Sequence, residues 1–523
     1  MFRGFESPSP MLPEIFALHG KWQVGKPALI AGELRETWPE MMCSSHRFAN
    51  ALIHSGVQVG DTVGIVMSNS AEMVHALLGC MSAGAVSVPI NLSVSDDALV
   101  NMLIDAKTVS LVVTSDQFDR LLSLKELLPS SLSVCVTTGT SSVDGWTQWA
   151  DFVGKAADTI PNVDIEDDAI LNVIYSSGTT GVPKGIVHTH RGRRDWAYDL
   201  AIALRYHGAA KSLFTIGLYS NISWVSMLAT LLAGGTLVVH EKFDEAAFLD
   251  TVERERITHT AMVPIQFQRV TDLQLASPRD VTSMTAMMSA GSPLREPLKR
   301  RIFEAFPCGI IELYGLTEGI ITTLDPEDAE GRWSSVGRPL MGTDIAIIDD
   351  EDQFVPAGVS GEIVSRGRIT MPGYLNRAEA SQESEYIDSD GQQWLRSGDI
   401  GQLDDEGFLY IVDRKKDMIL SGGQNIYPQD IEAVVALHEM VYDVAVIGAP
   451  SERWGETPVA LVVPAPGVTV CDDCRAAIRG FANERLGKQQ RIADVVVVDE
   501  LPRNPNGKIL KRELREQFKH LSY

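Results

Sequence analysis

Short, nearly unbroken apolar runs recur along the first two-thirds of the chain: TVGIVMS from Thr62, AVSVPI from Ala85, SLVVTS from Ser110, ILNVIY from Ile170, GGTLVVH from Gly234 and IIELYG from Ile310. Between them lie longer stretches with helical spacing of apolar positions, such as AEMVHALLGCMSAG from Ala71 and RDWAYDLAIALRYH from Arg194. Strand-length runs without polar alternation predict strands covered on both faces, and their alternation with helices predicts α/β units around largely parallel sheets. From Asp344 the grain changes: DIAIIDDEDQFVPAGVSGEIVSRG reads as two strands joined by an acidic turn with Pro356 and Gly358, a small antiparallel, β-barrel-like subdomain. Beyond Asp413 a helix starts at Pro428, with an apolar face from Ile431, Val434 and Val435, followed by strands VYDVAVIG and VALVVP, a second helix and the strand ADVVVVDEL. This last part is a compact α+β unit of about 110 residues.

Charge supports a boundary near Asp413. The segment from Asp413 to Tyr523 holds 15 basic and 16 acidic residues, so nearly all of the chain's net −24 lies in the first 412. That excess argues against duplex nucleic acid or an anionic membrane as partner, and means that an anionic small substrate needs a local basic patch. At 523 residues, 45% apolar and 22% charged, the chain has material for roughly three domain-sized units. The start, MFRGFESPSP, lacks the apolar core of a signal peptide, and no run reaches the ~18 apolar residues of a membrane span. We therefore expect a cytoplasmic protein with no transmembrane segment. Six cysteines form no disulfide framework; Cys471 and Cys474 make a CxxC without further metal ligands, which reads as two thiols opening an ordinary helix.

The most informative stretch is SSGTTGVPKG, from Ser176 to Gly185, directly after the strand ILNVIY. Three glycines, four hydroxyl side chains and Lys184 in ten residues can turn backbone N–H groups, hydroxyls and an ammonium toward one anion. It is not a Walker A loop, because Gly185 follows Lys184 where Ser or Thr is required.

SSGTTGVPKG resembles the signature loop of the adenylate-forming superfamily: acyl- and aryl-CoA synthetases, luciferase and the adenylation domains of peptide synthetases. Four further segments match in the family's order: YGLTE (Tyr314 to Glu318), SGDIG (Ser397 to Gly401), DRKKDMILSGGQNIYP (Asp413 to Pro428) and PRNPNGKILKREL (Pro502 to Leu514). The resemblance, nearest the AMP-dependent CoA-ligase branch, runs over almost the whole chain. It implies a large N-terminal domain, residues 1–412, that binds ATP and the acyl group, and a small mobile C-terminal domain, 413–523, hinged at Asp413.

The resemblance also implies roles for particular residues. Ser176, Ser177, Gly178, Thr179, Thr180, Gly181 and Lys184 would hold the phosphates of ATP. Glu318 would supply the carboxylate for Mg²⁺, with Thr180 and Thr317 beside it; one carboxylate plus phosphates and water suffices for that ion. Tyr314 would lie against adenine, Gly315 beside it, and Gly291, Ser292 and Pro293 on the other side of the base. Asp399, an acceptor with two oxygens suited to two vicinal hydroxyls, and Arg414 would take the ribose. Lys508 would bridge the attacking carboxylate and the α-phosphate, catalysing by positioned charge together with Thr317 and Glu318. Ser421, Gly422 and Gly423 would admit the pantetheine arm of coenzyme A.

The implied reaction converts a carboxylic acid and ATP to acyl-AMP and pyrophosphate, then transfers the acyl group to the CoA thiol. Fatty and aryl acids both suit the implied acyl pocket of Tyr219, Ser223, Met262, Val263, Gln266 and Ile320. FTIGLYSNISW carries no acidic residue to hold a substrate ammonium, which argues for an uncharged acyl group. Ile216, Tyr219 and the segment Lys488 to Arg491 depart from the family pattern. Loading of a carrier-protein pantetheine and a luciferase-like oxygenase stand as alternatives, and a homodimer is left open.

Overall fold

The computed structural model describes residues 9–140, 143–176, 183–414, 416–421, 424–468, 471–488, 490–503 and 508–523. All six apolar runs become strands. Thr62–Val66, Val86–Pro89, Ser110–Val113 and Ile170–Ser176 lie in a seven-stranded sheet whose neighbours run parallel, except that Ile170–Ser176 pairs antiparallel with Lys184–Thr189. Thr236–Val239 and Ile311–Gly315 belong to a nine-stranded sheet, parallel through its middle and antiparallel at both ends. A layer of helices separates the two sheets. One cluster joins Val63 and Ile65 of the first sheet to Leu29 and Leu237 of the second through Trp38, Phe48, Leu77, Trp224 and Leu228.

The helix Ala71–Ala83 runs through that layer, and every residue of it except Glu72 is buried, as a helix apolar all round must be. Ser70 Oγ accepts from Met73 N at 3.1 Å to open it, and Gly84, at φ +69°, closes it. At Gly79 it passes so close to Trp38–His54 that a Cβ would lie 2.8 Å from the Ser45 carbonyl oxygen and 2.7 Å from the Phe48 ring. Phe48 could shift, but a helix backbone held by hydrogen bonds cannot. The overpacking cost outweighs the ~1 kcal/mol of helix propensity gained. Gly79→Ala is thus expected to lower stability by about 1–2 kcal/mol, read as an earlier urea midpoint; a later midpoint would show that the helices part freely.

The predicted antiparallel pair forms: Thr343–Ile348 and Gly361–Gly367 are hydrogen-bonded neighbours. They extend into a five-stranded half-barrel with Gln393–Leu403, Glu385–Ile387 and Leu409–Arg414. Strands between Ile419 and Val497 build a second five-stranded sheet around the long hairpin Val441–Ser451 and Gly455–Pro464. The helices Pro428–Val435 and Asp472–Arg485 cover one face, in a cluster with Ile431, Val435, Val444 and Ile478; Leu501 and Leu514 cover the other with Ala445, Ile447 and Leu461. Cys471 is the N-cap of Asp472–Arg485, its sulfur 3.0 Å from that of Cys474. No described helix is long and apolar enough to cross a membrane.

Candidate active site

The glycine- and hydroxyl-rich stretch from Ser176 to Gly185 joins two antiparallel strands, Ile170–Ser176 and Lys184–Thr189. Ser176 and Lys184 are register partners at its mouth, so the lysine stands at the end of a paired strand. Ser177, Gly178, Thr179, Thr180 and Gly181 fall outside the described residues. The Lys184 strand is tied to the segment from Met371 to Leu375: Leu375 N donates to Gly185 O at 2.7 Å and Val187 N to Gly373 O at 3.2 Å. Met371 N in turn donates to Glu318 O at 2.8 Å. The side chains follow the same path. Lys184 Nζ lies 4.8 Å from the centre of the Tyr374 ring, and the Tyr374 hydroxyl donates to Glu318 Oε1 at 2.9 Å. Burial, then the Glu318 carboxylate, raises the Tyr374 phenol pKa, keeping it a donor. Gly319, at φ +121°, lets the chain pass: a Cβ there would sit 2.5 Å from Ile369 O.

A second cluster forms where the nine-stranded sheet meets the half-barrel. Tyr314, at the end of Ile311–Gly315, donates its hydroxyl to Asp399 Oδ2 at 2.8 Å, and Arg414 Nε lies 2.8 Å from Asp399 Oδ1. Asp399 and Arg414 face each other across paired strands, and Asp399 is 3% exposed. Burial, then Asp399, pushes the Tyr314 phenol well above its usual range. Asp399 Oδ1 is buried and, beyond the Arg414 ion pair, has no hydrogen-bond partner among the described residues, so the carboxylate keeps acceptor sites for further donors. The turn Gly291, Ser292 and Pro293 follows the strand Ala286–Ser289, and its neighbour Leu294 donates its N–H to buried Glu312 at 3.3 Å. Glu312 is itself paired with Lys299.

The C-terminal unit brings Lys508 to this second cluster. Burial, then the Arg414 guanidinium, pushes the half-buried Lys508 ammonium down to about 8, with Asp399 opposing. Asp413 is 1% exposed; its carboxylate accepts from Arg414 N at 2.6 Å and from Gln429 N, at the head of Pro428–Val435, at 3.0 Å. Burial pushes its pKa up to about 6 against the pull of Lys511 and those two N–H groups. Ser421 is buried and pairs with Gly455; Gly422 and Gly423 lie outside the described residues. Contact with the larger unit includes Arg295, whose Nη2 donates to Val444 O at 3.2 Å and whose Nη1 is 3.8 Å from Asp443.

The acyl-pocket candidates do not gather at one place. Tyr219 and Val263 share the inter-sheet cluster with Ile216 and Leu218. Ser223 Oγ is turned to Ile216 O at 3.1 Å. Met262 packs into the cluster on the other face of the sheet, with Leu213 and Phe267, because neighbours along a strand point to opposite faces. Ile320 is buried in the half-barrel with Ile186 and Met371, and Gln266 Oε1 is buried with no partner among the described residues. Tyr374 and Arg193 are absent from the sequence reading. The Pro-Gly pair at 372–373 is a signal for a turn at the first; for the second, which precedes the stretch read as helical, the sequence carries no signal.

Comparison with known proteins identifies the family of the chain. Residues 17–375 match the AMP-binding enzyme family, and 430–508 match the AMP-binding enzyme C-terminal domain. A long-chain-fatty-acid–CoA ligase of Mycobacterium tuberculosis is 32% identical over 488 residues, 93% of this chain and 94% of its own. An indoleacetate–CoA ligase of Aromatoleum aromaticum is 31% identical over 514 residues, 97% of this chain and 98% of its own. Among solved structures, ATP-bound MatB from Rhodopseudomonas palustris superposes with a TM-score of 0.86 at 26% identity, over 97% of this chain and 99% of that one. An anthranilate CoA ligase in complex with anthranoyl-AMP gives 0.88 at 25%, over 98% and 97%. With both parts of the chain matched in order and the fold shared end to end, this protein belongs to the AMP-binding, adenylate-forming enzyme family.

Proposed function

We propose that the protein is an AMP-forming acid–thiol ligase that activates a fatty or aryl acid as acyl-AMP and passes the acyl group to coenzyme A. The observation that carries this reading is the approach of Lys508, from the C-terminal unit, to the Asp399, Arg414 and Tyr314 cluster. An ammonium delivered by a separate unit to a buried carboxylate and guanidinium suits positioned-charge catalysis at a nucleotide. Asp399 and Arg414 would take the ribose, Tyr314, Gly315 and the turn at 291–293 the base, and the hairpin at 176–184 the phosphates. Tyr219, Ser223, Val263, Gln266, Ile320 and Met262 remain the acyl candidates. The unit beginning at Asp413 would turn about that residue to exchange Lys508 for the Ser421, Gly422 and Gly423 segment. Three of the proteins described above are CoA ligases, which supports free CoA over a carrier protein or oxygen.

For Mg²⁺ the donor set fits the ion's modest demands. Glu318 has one oxygen engaged by Tyr374, and no cluster of three or more His, Cys, Asp or Glu exists among the described residues, so one carboxylate would serve with phosphates and water. When bound, the ion would neutralise phosphate charge. Glu318→Gln keeps the acceptor for Tyr374 and removes the charge. It is expected to raise the Mg²⁺ concentration for half-maximal pyrophosphate release roughly tenfold, the effect of losing about one charge-assisted interaction; an unaltered Mg²⁺ dependence would take Glu318 out of the site. The reading as a whole is tested with C2 to C16 and cinnamic-type acids, ATP and CoA: thioester formation supports it, and pyrophosphate release without thioester would redirect it to another acceptor.

A further inference from the structure

Arg193, in the first turn of the helix His190–Ala203, is 1% exposed. Its Nε donates to Asn172 Oδ1 at 3.1 Å and its Nη2 to Asn221 Oδ1 at 2.9 Å, both neutral amides, while Nη1 donates to no described residue. The guanidinium carbon lies 4.5 Å from the centre of the Trp196 ring and 5.2 Å from that of Trp224. Among the described residues no carboxylate is paired with it. The acids nearby in sequence serve other arginines: Asp168 pairs with Arg191, Asp167 and Asp195 with Arg194, and Asp199 with Arg368. Burial pulls the Arg193 pKa down to about 9, which leaves it charged at neutral pH. A cation so buried is normally matched by an anion, since desolvation without a partner is among the costliest things a fold can do.

Beside it is a cavity of about 20 Å³ whose walls come from three places: His188, Thr189 and Arg193 at a strand-to-helix corner, Thr317, and the segment from Ile369 to Pro372. Its polar groups are placed to give hydrogen bonds. The guanidinium can only donate. Thr189 Oγ1 already accepts from Gly192 N at 3.0 Å, so its hydroxyl hydrogen is left to give. His188 Nε2 and Thr370 Oγ1 are buried without a hydrogen-bond partner, and burial with the Arg193 charge keeps the His188 imidazole neutral. No carboxylate lines the space. The corner is also the N-terminal end of a 14-residue helix, where the backbone dipole favours negative charge. Size then decides the kind of anion. The volume is somewhat more than the ~10–15 Å³ that one water needs, so carboxylate, sulfate and phosphoryl groups are excluded and a single atom remains. A water there would meet Nη1 but leave its charge uncompensated.

We propose that this cavity is a halide site, taken by chloride, which neutralises Arg193 and ties the corner at 188–193 to the Thr317 turn and the 369–372 segment. Halide binding is independent of the acid-ligase reading, because no substrate enters the cavity.

The test uses chloride and bromide on the full chain without substrates. In ~200 mM sodium chloride the thermal midpoint is expected about 2 °C above that in equimolar sodium acetate, whose anion is too large for the cavity. Arg193→Met should remove that difference. Near-isosteric Thr370→Val should raise the chloride concentration for half the shift roughly fivefold, the loss of one hydrogen bond. Bromide should quench tryptophan fluorescence with a saturable component from Trp196 and Trp224, displaced by chloride and absent from Arg193→Met. Wild-type crystals grown in bromide should show an anomalous peak within hydrogen-bond distance of Arg193 Nη1. Lack of that peak, with a water in its place, or a chloride response that Arg193→Met retains, overturns the site. If Arg193→Met does not fold, the bromide peak in the wild type decides alone.

Discussion

Replacing Lys508 by alanine is expected to slow acyl-AMP formation by about 10²–10³-fold, the usual loss when one positioned charge is removed from a transition state, while supplied acyl-AMP is still converted to acyl-CoA. The split follows from where Lys508 sits. It lies by the Asp399 and Arg414 cluster in the arrangement seen here, and under the proposed swing a transfer step that presents the Ser421 face would not use it. Titration gives the same residue a second signature. Its ammonium is pushed down to about 8 by burial and by Arg414; the charged form prevails below that pH and is lost above it. For the free enzyme, kcat/KM for ATP in adenylation should therefore fall as pH rises through about 8. The corresponding limb in kcat should lie at higher pH, because phosphate charge beside the amine favours the proton. Single-turnover assays on the two half-reactions check both points: equal loss of both steps in a folded Lys508→Ala protein would remove the two-arrangement mechanism.

The second large effect is expected at Asp399. Removing its carboxylate by Asp399→Ala takes away the acceptor for the Tyr314 hydroxyl and the partner of Arg414, as well as the proposed ribose contacts. Hydrogen bonds to a charged group are worth about 1.5–3 kcal/mol, so ATP affinity should fall by roughly 10–150-fold. The ribose assignment has its own control. If Asp399 holds a 2′-hydroxyl, the substitution should weaken 2′-deoxy-ATP distinctly less than ATP. Equal weakening of both nucleotides, with the thermal midpoint kept, would assign Asp399 to positioning Tyr314 and Arg414 alone.

Much of this arrangement is legible in the sequence, for a physical reason. Strands buried on both faces must be apolar throughout, so TVGIVMS, SLVVTS and their like announce themselves without an alignment. Residues proposed to act from one continuous loop or turn, such as Tyr314 to Glu318, can be picked out for a related reason: their chemistry is written side by side. Tyr374 cannot, because its link to Glu318 spans 56 positions and exists only once the half-barrel is formed. Arg193 is missed for another reason. The stretch read as helical starts after it, at Arg194, yet this helix begins at His190, four residues earlier than its apolar spacing predicts, and turns His190, Arg193 and Arg194 inward. Met262 and Val263 show a further limit, since adjacent residues of extended backbone, here the last of the strand His259–Met262 and the N-cap of the next helix, turn their side chains to opposite faces.

The C-terminal sheet has one consequence for how the enzyme would cycle. Its two apolar clusters, one on each face, are drawn only from residues after 418, so the unit keeps its interior sealed whichever way it is oriented. Turning about Asp413 would then be a rigid-body displacement in which no core side chain changes its neighbours. What must break is a small set of polar contacts such as those of Arg295 with Val444 and Asp443, each easily replaced by water. The barrier to the swing would thus be set by solvent exchange at the seam and not by repacking, leaving the nucleotide and acyl ligands to bias which orientation prevails.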